Sequence, residues 1–573
     1  MVSTERGFSV SYKNRFLYSK YAPERAILGA IDALTILPHT LILAASPVLW
    51  LGLSALRAKL PADCFILGIE TDKTLHDFAK REFEKLEREE KNTTESQIAL
   101  NSCAALLPFE HTDYLVNVLT GERLDALPDS SEVIQIPHIS TFRRAILLEM
   151  SAGTQFDKAH YASLASLAEN AIASFWKNRI TLTKLGRLYS RNLFHNLAHI
   201  PSAHDFKTLA HRVTQPIFVF GAGESLEESI ARIPKSQLEK CVIVAVDASL
   251  PVLQAHNIRV DAVVAVEGQL AIEKAYIGGT AQNSLIVADI TSRAAVTRHS
   301  KDVTYIASKY TDAHFFKNLA QYAFFPPVVP PLGSVGLTAV YVALLLRANE
   351  NVPVFVSGLD FSFSLGRTHT KNAPAHIARL CTSDKLHPVE NYAAAFRTGA
   401  RLVSAKNGVP VYTDTALEAY ASSFKDMFKS TPNLYDAGAQ GLLLGLQEIS
   451  AEKITAYLGT IAEKESTDLH RFETETENES LCTSAIISFL EAEEKALNRI
   501  KELLMFGKDV ARCSCSLEDE LHELIAPREY LFLHFPDGYK CDTSDLSFLK
   551  RVRGQLDFFL KDIKRSLATL PSL

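Results

Sequence analysis

The sequence predicts an α/β protein with an N-terminal α/β domain, a central parallel-sheet domain and a C-terminal helical domain. The first observation is a series of Val- and Ile-rich runs between residues 213 and 440, each followed by a helical segment. Such continuous apolar runs are typical of parallel strands that are covered on both faces. The second is a strand–helix pattern before residue 157, and the third is i, i+3/i+4 apolar spacing after residue 440.

We expect four segments, because a chain of 573 residues is too long for one hydrophobic core. They are the N-terminal domain (1–156), a helical linker region (157–212), the central domain (213–440) and the helical domain (441–573). The N-terminal elements are expected as strands Leu41–Ala44 and Cys64–Glu70 and helices Pro47–Leu60 and Lys73–Lys91. The turn after the first strand is Ala-Ser-Pro and lacks Gly-x-Gly, which predicts a scaffold or a decayed nucleotide site.

Composition excludes some classes of function. The 60 Lys and Arg residues against 66 Asp and Glu give a net charge of −6, which argues against a general nucleic-acid binder. The N-terminus has no apolar core that would make a signal peptide. The apolar stretch Ile27–Leu56 is interrupted by Asp32, Pro38, His39 and Pro47, so we expect a helix, a strand and a helix there rather than a membrane span.

Cysteine and histidine spacing gives no metal site. Of the eight cysteines, only Cys513 and Cys515 lie close together, and they lack a second pair, so we expect reduced thiols in a cytoplasmic protein. His195 and His199 lie one helical turn apart, a spacing that suits zinc. No Glu follows His195 and no third ligand is evident, so surface or capping histidines are expected instead.

The central strands are expected at 217–220, 242–246, 262–266, 284–290, 303–308 and 352–358. Gly221, Gly223 and Ser225 follow the first of them, where ligands of open α/β sheets bind. These residues predict either a tight turn or a phosphate-binding site at the start of a helix. Ser225 is expected to cap that helix, and its hydroxyl would also bind the phosphate.

The next two strands also end in acids. Asp247 lies 24 residues after Gly223 (247 − 223), near the spacing at which a carboxylate meets a ribose hydroxyl. An ordinary helix cap would explain Asp247 equally well. Glu267 ends the third strand at the same expected edge.

A second glycine-opened helix is expected from Gly333 and Ser334 to about Leu346. The strand after it ends at Asp360. The loop that follows is basic and rich in hydroxyls, with Arg367, Thr368, His369, Lys371 and His376. This combination favours an anionic substrate that carries a phosphate, and the alternative is a polar surface loop.

The motifs GAGESL, GSVGLTAVYVALLL and VSGLDFSF, with RTH after them, resemble the central domain of the motility accessory factor (Maf) glycosyltransferases. YSKYAPERA and LYDAGAQGLLLGLQEI resemble outer segments of that family, so the resemblance covers most of residues 15–450. It implies transfer of a nonulosonic acid, such as pseudaminic or legionaminic acid, from its CMP ester to Ser or Thr of flagellin. The glycine motifs are also similar to bacterial sialyltransferases, which implies a Rossmann-like sheet that binds a nucleotide sugar.

Carried over residue by residue, the resemblance implies one set of contacts with the donor and two catalytic residues. The donor-binding residues that it implies are Gly221, Gly223, Ser225, Asp247, Gly333, Ser334 and Gly358. Glu267 at the sheet edge and Arg367 in the basic loop are expected to join them because of their positions in the sequence. The catalytic residues are Asp360 and His369, with His369 as the general base and His376 and His387 as reserves. Glu224 stands where the family usually has proline, and a carboxylate facing a phosphate would repel it. No permanently bound cofactor is implied, and the oligomeric state is left open.

Two other functions share these motifs. Pterin pyrophosphokinases of the MptE type resemble the same GAGxSL core and would use ATP and Mg²⁺. A non-catalytic flagellin-binding scaffold is the third reading, with Glu224 as the mark of a decayed site. The long N- and C-terminal regions favour the transferase, because a small pterin needs no surface for docking a protein.

Overall fold

The computed structural model describes the chain except residues 5–6, 62, 94–102, 122–135, 310–313, 366, 387–395, 397, 462–475, 507–514 and 571–573. Contacts divide it into two compact units, Met1–Leu182 and Thr183–Leu573. Among the described residues, no helix is both long and apolar enough to cross a membrane.

The first unit is built around a parallel sheet with strand order β7-β6-β5-β8. Its strands are β1 (Val2–Thr4), β2 (Gly7–Ser9), β3 (Ser11–Tyr12), β4 (Arg15–Phe16), β5 (Thr40–Ala45), β6 (Phe65–Ile69), β7 (Ala104–Leu106) and β8 (Arg144–Glu149). Its helices are α1 (Arg25–Ala33), α2 (Leu53–Lys59), α3 (Lys73–Thr93), α4 (Leu115–Thr120) and the part of α5 (Lys158–Leu197) up to residue 182. Every residue of β5 and β6 is buried, as expected for strands covered on both faces.

One helix prediction in this unit is wrong. The expected helix Pro47–Leu60 forms only over α2, because Trp50 and Gly52 adopt left-handed backbone conformations with φ of 51° and 79°. Glu70, the acidic residue that follows β6, has both carboxylate oxygens hydrogen-bonded within the protein. Its Oε2 accepts the Ser46 hydroxyl at 2.7 Å, and its Oε1 accepts the Tyr161 hydroxyl at 2.9 Å. These bonds support the interpretation of this half as a scaffold.

The second unit contains a larger sheet and most of the helices. Its strands are β9 (Ile217–Phe220), β10 (Val242–Val246), β11 (Ala262–Ala265), β12 (Leu285–Asp289), β13 (Val303–Ser308), β14 (Val328–Val329), β15 (Val354–Ser357), β16 (Arg401–Ser404), β17 (Pro410–Thr413), β18 (Leu434–Asp436) and β19 (Gln447–Glu448). Its helices are α6 (Phe206–Leu209), α7 (Ser225–Arg232), α8 (Lys235–Leu238), α9 (Leu250–Ala255), α10 (His314–Leu319), α11 (Val335–Leu346), α12 (Pro374–Thr382), α13 (Thr415–Phe428), α14 (Ala451–Gly459), α15 (Thr476–Phe506), α16 (Cys515–Ile525) and α17 (Leu546–Thr569).

The order of the large sheet is β14-β13-β12-β11-β10-β9-β15-β18-β19, and all its described neighbours pair in parallel. From β9 the chain moves outward strand by strand to β14 and then returns to place β15 on the other side of β9. The point where the order reverses therefore lies between β9 and β15. Ligands of open α/β sheets bind at such a point, beyond the carboxyl ends of the strands.

The core explains why these runs form strands. Val219, Val244, Val264 and Val287 come from four neighbouring strands, are fully buried, and pack in one cluster with the apolar residues of α11. The predicted fold class is confirmed: an α/β protein with a central parallel sheet, an N-terminal α/β region and a helical C-terminal region. The four predicted domain boundaries stay predictions.

Candidate functional site

The glycines after β9 and β15 let two loops meet at the point where the strand order reverses. The Gly221 N–H donates to Ser357 O, and the Gly223 N–H donates to Gly358 O, both at 2.8 Å. A Cβ on Gly221 would overlap the Gly358 carbonyl. Gly358 itself has φ +75°, a conformation that disfavours any other residue. A close approach of two backbones therefore explains this pair of glycines without a ligand.

The start of α7 is occupied by a carboxylate of the protein itself. The Ser225 N–H donates to Asp360 Oδ2 at 2.8 Å, and the Ser225 hydroxyl donates to Asp360 Oδ1. Gly223 leaves room for this carboxylate, because a Cβ there would lie 2.5 Å from Asp360 Oδ2. A helix N-terminus attracts an anion, and here Asp360 supplies it.

Two expectations for this turn change accordingly. The N-cap of α7 is Glu224 and makes no side-chain capping bond, so the prediction that Ser225 caps the helix is wrong. Ser225 is the first helical residue, and its hydroxyl is already bonded to Asp360. Asp360 is buried, and burial raises its pKa to about 6 although the bonds from Ser225 act to lower it. The catalytic role of Asp360 stays a prediction, but this geometry gives it a structural task.

At the start of α11, by contrast, no carboxylate of the described residues makes such a bond. Gly333 has φ +69°, and Ser334 is an extended N-cap whose side chain makes no capping bond. In the described part of the chain, no acceptor contacts the N–H groups of Val335, Gly336 and Leu337. We call these three amides and the Ser334 hydroxyl the α11 tip. Helix N-termini with free amides favour anions, as the binding of Asp360 at the start of α7 illustrates.

The α11 tip lies beside the junction of the two glycine loops. A Cβ on Gly336 would overlap a methyl group of Leu359, and a Cβ on Gly221 would lie 2.5 Å from the same methyl. The first turn of α11 therefore packs against the loop after β15, at the edge of the sheet where Gly221 lies.

Asp247 contributes a buried carboxylate to this edge. Its Oδ1 accepts the Ala248 N–H at 2.6 Å, whereas its Oδ2 is buried and has no partner among the described residues. Burial, helped by the negative charge of Glu267, raises the pKa of Asp247 to about 7. The buried Tyr276 hydroxyl also lacks a partner there, and the charge of Asp247 contributes to raising its pKa. Unpartnered buried polar atoms are rare in native proteins and point to a missing ligand or water.

Two tyrosines that the sequence did not indicate line the same edge. Tyr420 on α13 lies 3.3 Å from where a Cβ of Gly333 would be. Tyr189 on α5 lies 3.3 Å from where a Cβ of Gly268 would be. Burial, with the charges of Glu267 and Asp289, raises the pKa of Tyr189 to about 12. Both rings are half-buried. Aromatic faces at a nucleotide site offer stacking surfaces for a base.

Glu224 and Glu227 hold the loop that follows Asp360. Glu224 Oε1 accepts the Ser364 N–H at 2.9 Å and its hydroxyl at 2.6 Å. Glu227 Oε1 accepts the Thr370 hydroxyl at 2.8 Å and the Lys371 N–H at 2.7 Å. The carboxylate of Glu224, the residue that stands where the family usually has proline, therefore binds this loop.

The same loop carries two of the basic residues that the sequence indicated, Arg367 and Lys371. Arg367 Nη2 lies 3.7 Å from Glu224 Oε2, so its charge is balanced within the protein. Lys371 is exposed and makes its described contact through its backbone. The Thr370 N–H donates to Ala222 O at 2.9 Å, which fixes His369, one residue earlier, beside the glycine loop.

Of the predicted bases that the structure describes, His369 lies in the loop that bonds to the glycine loop. Its Nδ1 lies 3.1 Å from Thr368 Oγ1, and burial, with the nearby Arg379 charge, lowers its pKa below the usual 6.5. The imidazole is therefore neutral at neutral pH and able to accept a proton. His376 is buried on α12, and His387 lies outside the described residues. Glu267 is exposed, and its Oε1 accepts the Gln269 N–H at 2.9 Å.

The zinc alternative finds no support in the described part of the chain, where no group of three or more His, Cys, Asp or Glu side chains could hold a metal. His195 Nε2 instead lies 2.9 Å from Asp562 Oδ1 on α17. Cys513 and the side chain of Cys515 lie outside the described residues.

The sheet and its edge define a doubly wound α/β domain. Residues 191–366 match the family described as 6-hydroxymethylpterin diphosphokinase MptE-like, which confirms the MptE-like domain that the resemblance implied. A Treponema pallidum (strain Nichols) protein, described as uncharacterized, is 31% identical over 593 aligned positions that span 100% of this chain and 96% of the relative. The chain belongs to the same family as that protein.

A solved structure is also similar, the "MAf glycosyltransferase from Magnetospirillum magneticum AMB-1". The two chains share 13% identity with a TM-score of 0.44, over 99% of this chain and 89% of the other. That protein is named for the family that the motifs resemble, but a likeness of this size says nothing about activity. The MptE-like match contains the glycine loops, Asp247, the α11 tip and Asp360, and it ends before His369.

Proposed function

We propose that this chain is a glycosyltransferase that moves a nonulosonic acid from its CMP ester to a Ser or Thr hydroxyl of flagellin. The observation that carries the proposal is the α11 tip, whose amides contact no anion among the described residues, at the same sheet edge as the Asp247 oxygen that also lacks a partner there. The family motifs that contribute these residues support the choice of a CMP donor.

The donor would be held by groups that the fold already orients. The phosphate of CMP accepts hydrogen bonds from the α11 tip, where the helix dipole favours negative charge. Asp247 Oδ2 accepts a ribose hydroxyl, which gives this buried oxygen the partner that it lacks. Tyr189 and Tyr420 lie beside the two loops of this edge and offer faces to the cytosine ring.

The chemical step needs a base and a stabilised leaving group. His369 accepts the proton of the acceptor hydroxyl while that oxygen forms a bond to the anomeric carbon of the sugar. The bond from this carbon to the phosphate oxygen breaks, and CMP leaves with the electron pair. Attack opposite the leaving group inverts the anomeric centre. The amides of the α11 tip stabilise the charge that develops on the phosphate.

A pterin pyrophosphokinase is the second candidate, because the family that matches residues 191–366 carries that description. Such an enzyme would bind ATP with Mg²⁺ at the same edge. Thermal unfolding of the protein in the presence of CMP, CTP, ATP or GTP, with and without Mg²⁺, distinguishes the transferase from the kinase. Stabilisation by cytidine nucleotides favours the transferase, and stabilisation by ATP with Mg²⁺ favours the kinase. If no nucleotide of the series raises the unfolding temperature, a non-catalytic scaffold is favoured.

Filling the α11 tip with an internal carboxylate is expected to block the donor. In Ser334→Asp protein, the new side chain caps α11 and stabilises the protein by about 0.5–1 kcal/mol. The same carboxylate competes with phosphate, so CMP binding by calorimetry weakens by about 10-fold or more. Ser334→Ala is the matched control, and its stability stays near wild type because Ser334 makes no capping bond. Unchanged CMP affinity in Ser334→Asp protein would contradict the phosphate position.

A further inference from the structure

Arg379 on α12 is a part-buried cation that contacts no carboxylate among the described residues. Its Nη2 donates to Thr368 Oγ1, and its Nη1 is buried with no acceptor among the described residues. Burial lowers its pKa, and no carboxylate in the described part of the chain acts against this. Two other arginines of this unit have carboxylate partners: Arg259 pairs with Asp261, and Arg528 pairs with Glu493.

His376 shares the buried face of the same helix. It precedes Arg379 by three residues, a spacing that places the two side chains side by side on a helix. The side chain is more than nine-tenths buried, and its Nδ1 has no partner among the described residues. Two neighbouring side chains on this face therefore each present an unpartnered buried nitrogen.

This face is connected to the predicted base. Thr368 Oγ1, which accepts from Arg379, lies 3.1 Å from His369 Nδ1. The charge of Arg379 also contributes to lowering the pKa of His369, which requires the two groups to be close. The loop that carries His369 bonds through Thr370 to Ala222 in the glycine loop. The unpaired cation therefore lies at the candidate site.

Buried charges in native proteins are paired, because an isolated ion in a low-dielectric interior is costly. A part-buried guanidinium whose buried Nη1 has no acceptor among the described residues is therefore suited to bind an anion. Its planar fork fits the two oxygens of a carboxylate. A nonulosonic acid carries its carboxylate on the anomeric carbon, so this group must lie next to both the leaving phosphate and the base.

We propose that Arg379, with Thr368 and His376, forms a subsite for the carboxylate of the sugar, separate from the phosphate site at the α11 tip. This inference rests on the proposed function for the identity of the sugar. The subsite selects keto-acid sugars over neutral sugars, since a neutral donor leaves the guanidinium unpaired.

The test compares CMP with CMP-N-acetylneuraminate by calorimetry on the full chain. Wild type is expected to bind the sugar nucleotide more tightly than CMP. Arg379→Met is expected to lose this preference by about 10- to 100-fold while its CMP affinity stays within about twofold. Arg379→Lys keeps the charge but loses the fork, so it should recover only part of the preference. Lys385→Met removes one exposed charge nearby and serves as the control. An unchanged preference in Arg379→Met protein overturns the subsite.

The unfolding temperature of the ligand-free protein tells a binding role from a structural one. Removal of an unpaired buried charge leaves the protein equally stable or more stable, so Arg379→Met should not unfold earlier than wild type. An unfolding midpoint several degrees lower would mean that Arg379 supports the fold, and it would overturn the proposal.

A second pair of probes separates this inference from the proposed function. Free N-acetylneuraminic acid at millimolar concentration should stabilise wild type more than its methyl ester does, and Arg379→Met should abolish the difference. If that result is obtained while CMP does not bind, the subsite stands and the proposed transferase fails. If wild type does not distinguish the acid from the ester, the subsite is wrong whatever CMP does.

Discussion

Asp247→Asn protein is expected to be more stable than wild type at pH 8 and to bind CMP about 10- to 100-fold more weakly. The gain in free energy of unfolding should be on the order of 2 kcal/mol. A difference of one in pKa corresponds to about 1.4 kcal/mol of free energy. The buried N–H groups of the new amide also need partners, which offsets part of the increase in stability. The affinity falls because the charged acceptor for the ribose hydroxyl is lost.

The pH dependence of this effect follows from the raised pKa. Asp247 has a pKa of about 7 in the folded protein against an ordinary value of 3.8. The folded state therefore binds the proton more tightly than the unfolded state, and wild-type stability falls as the pH rises from about 4 to about 7. The stability advantage of Asp247→Asn should be near zero at pH 4 and complete above pH 7. Thermal unfolding across this range measures it.

Asp289→Asn is the matched control, because Asp289 is equally buried at the end of the strand after next. Its Oδ1 accepts the Thr291 N–H at 2.8 Å, and its Oδ2 accepts the Ser308 N–H at 2.7 Å. Burial raises the pKa of Asp289 as well, so this substitution also removes the cost of a buried charge. It breaks a bond in addition, since an amide cannot accept at both positions, and should leave the protein about 1–3 kcal/mol less stable than Asp247→Asn protein. If both substitutions destabilise the protein alike, Asp247 is a structural residue and not a ligand contact.

His369→Gln protein is expected to lose transferase turnover by about 10²- to 10⁴-fold, the usual contribution of a general base, while its affinity for CMP is retained. Burial lowers the pKa of His369 from 6.5, so wild-type turnover should hold at slightly acid pH. It should fall only when the pH drops below this lowered pKa. Intact mass of flagellin incubated with enzyme and CMP-activated sugar provides the rate. The acid limb of the pH profile should vanish in the variant together with the turnover.

The control for this prediction is His256→Gln, which changes an exposed histidine and should keep wild-type turnover. If His369→Gln retains turnover within about threefold and His376→Gln does not, the base has been assigned to the wrong residue. If neither variant loses turnover, the proposed mechanism fails.

The strands could be predicted because their signal is local. The runs at β9, β10 and β13 each contain four to six consecutive residues that favour strands, and the structure forms them within the expected bounds. The parallel arrangement followed from helices between successive strands. The helix expected at Pro47–Leu60 was shortened by left-handed backbone at Trp50 and Gly52, which apolar periodicity does not reveal.

The site was harder to predict because its contacts join distant parts of the chain. The phosphate seat expected at Ser225 is filled by Asp360, which lies 135 positions later in the sequence. Glu224 binds Ser364, which lies 140 positions away in the sequence. Tyr189 and Tyr420 lie on helices without any motif around them. Among the described residues, Asp247, the α11 tip and His376 combine a sequence signal with an unfilled bonding capacity.

A crystal structure of the protein with CMP tests the central claim most directly. We expect the phosphate within hydrogen-bond distance of the amides of Val335, Gly336 and Leu337, and a ribose hydroxyl on Asp247 Oδ2. Asp360 should remain bonded to Ser225 in the complex. A phosphate at the start of α7 with Asp360 displaced, or a nucleotide bound away from this edge of the sheet, would contradict the account.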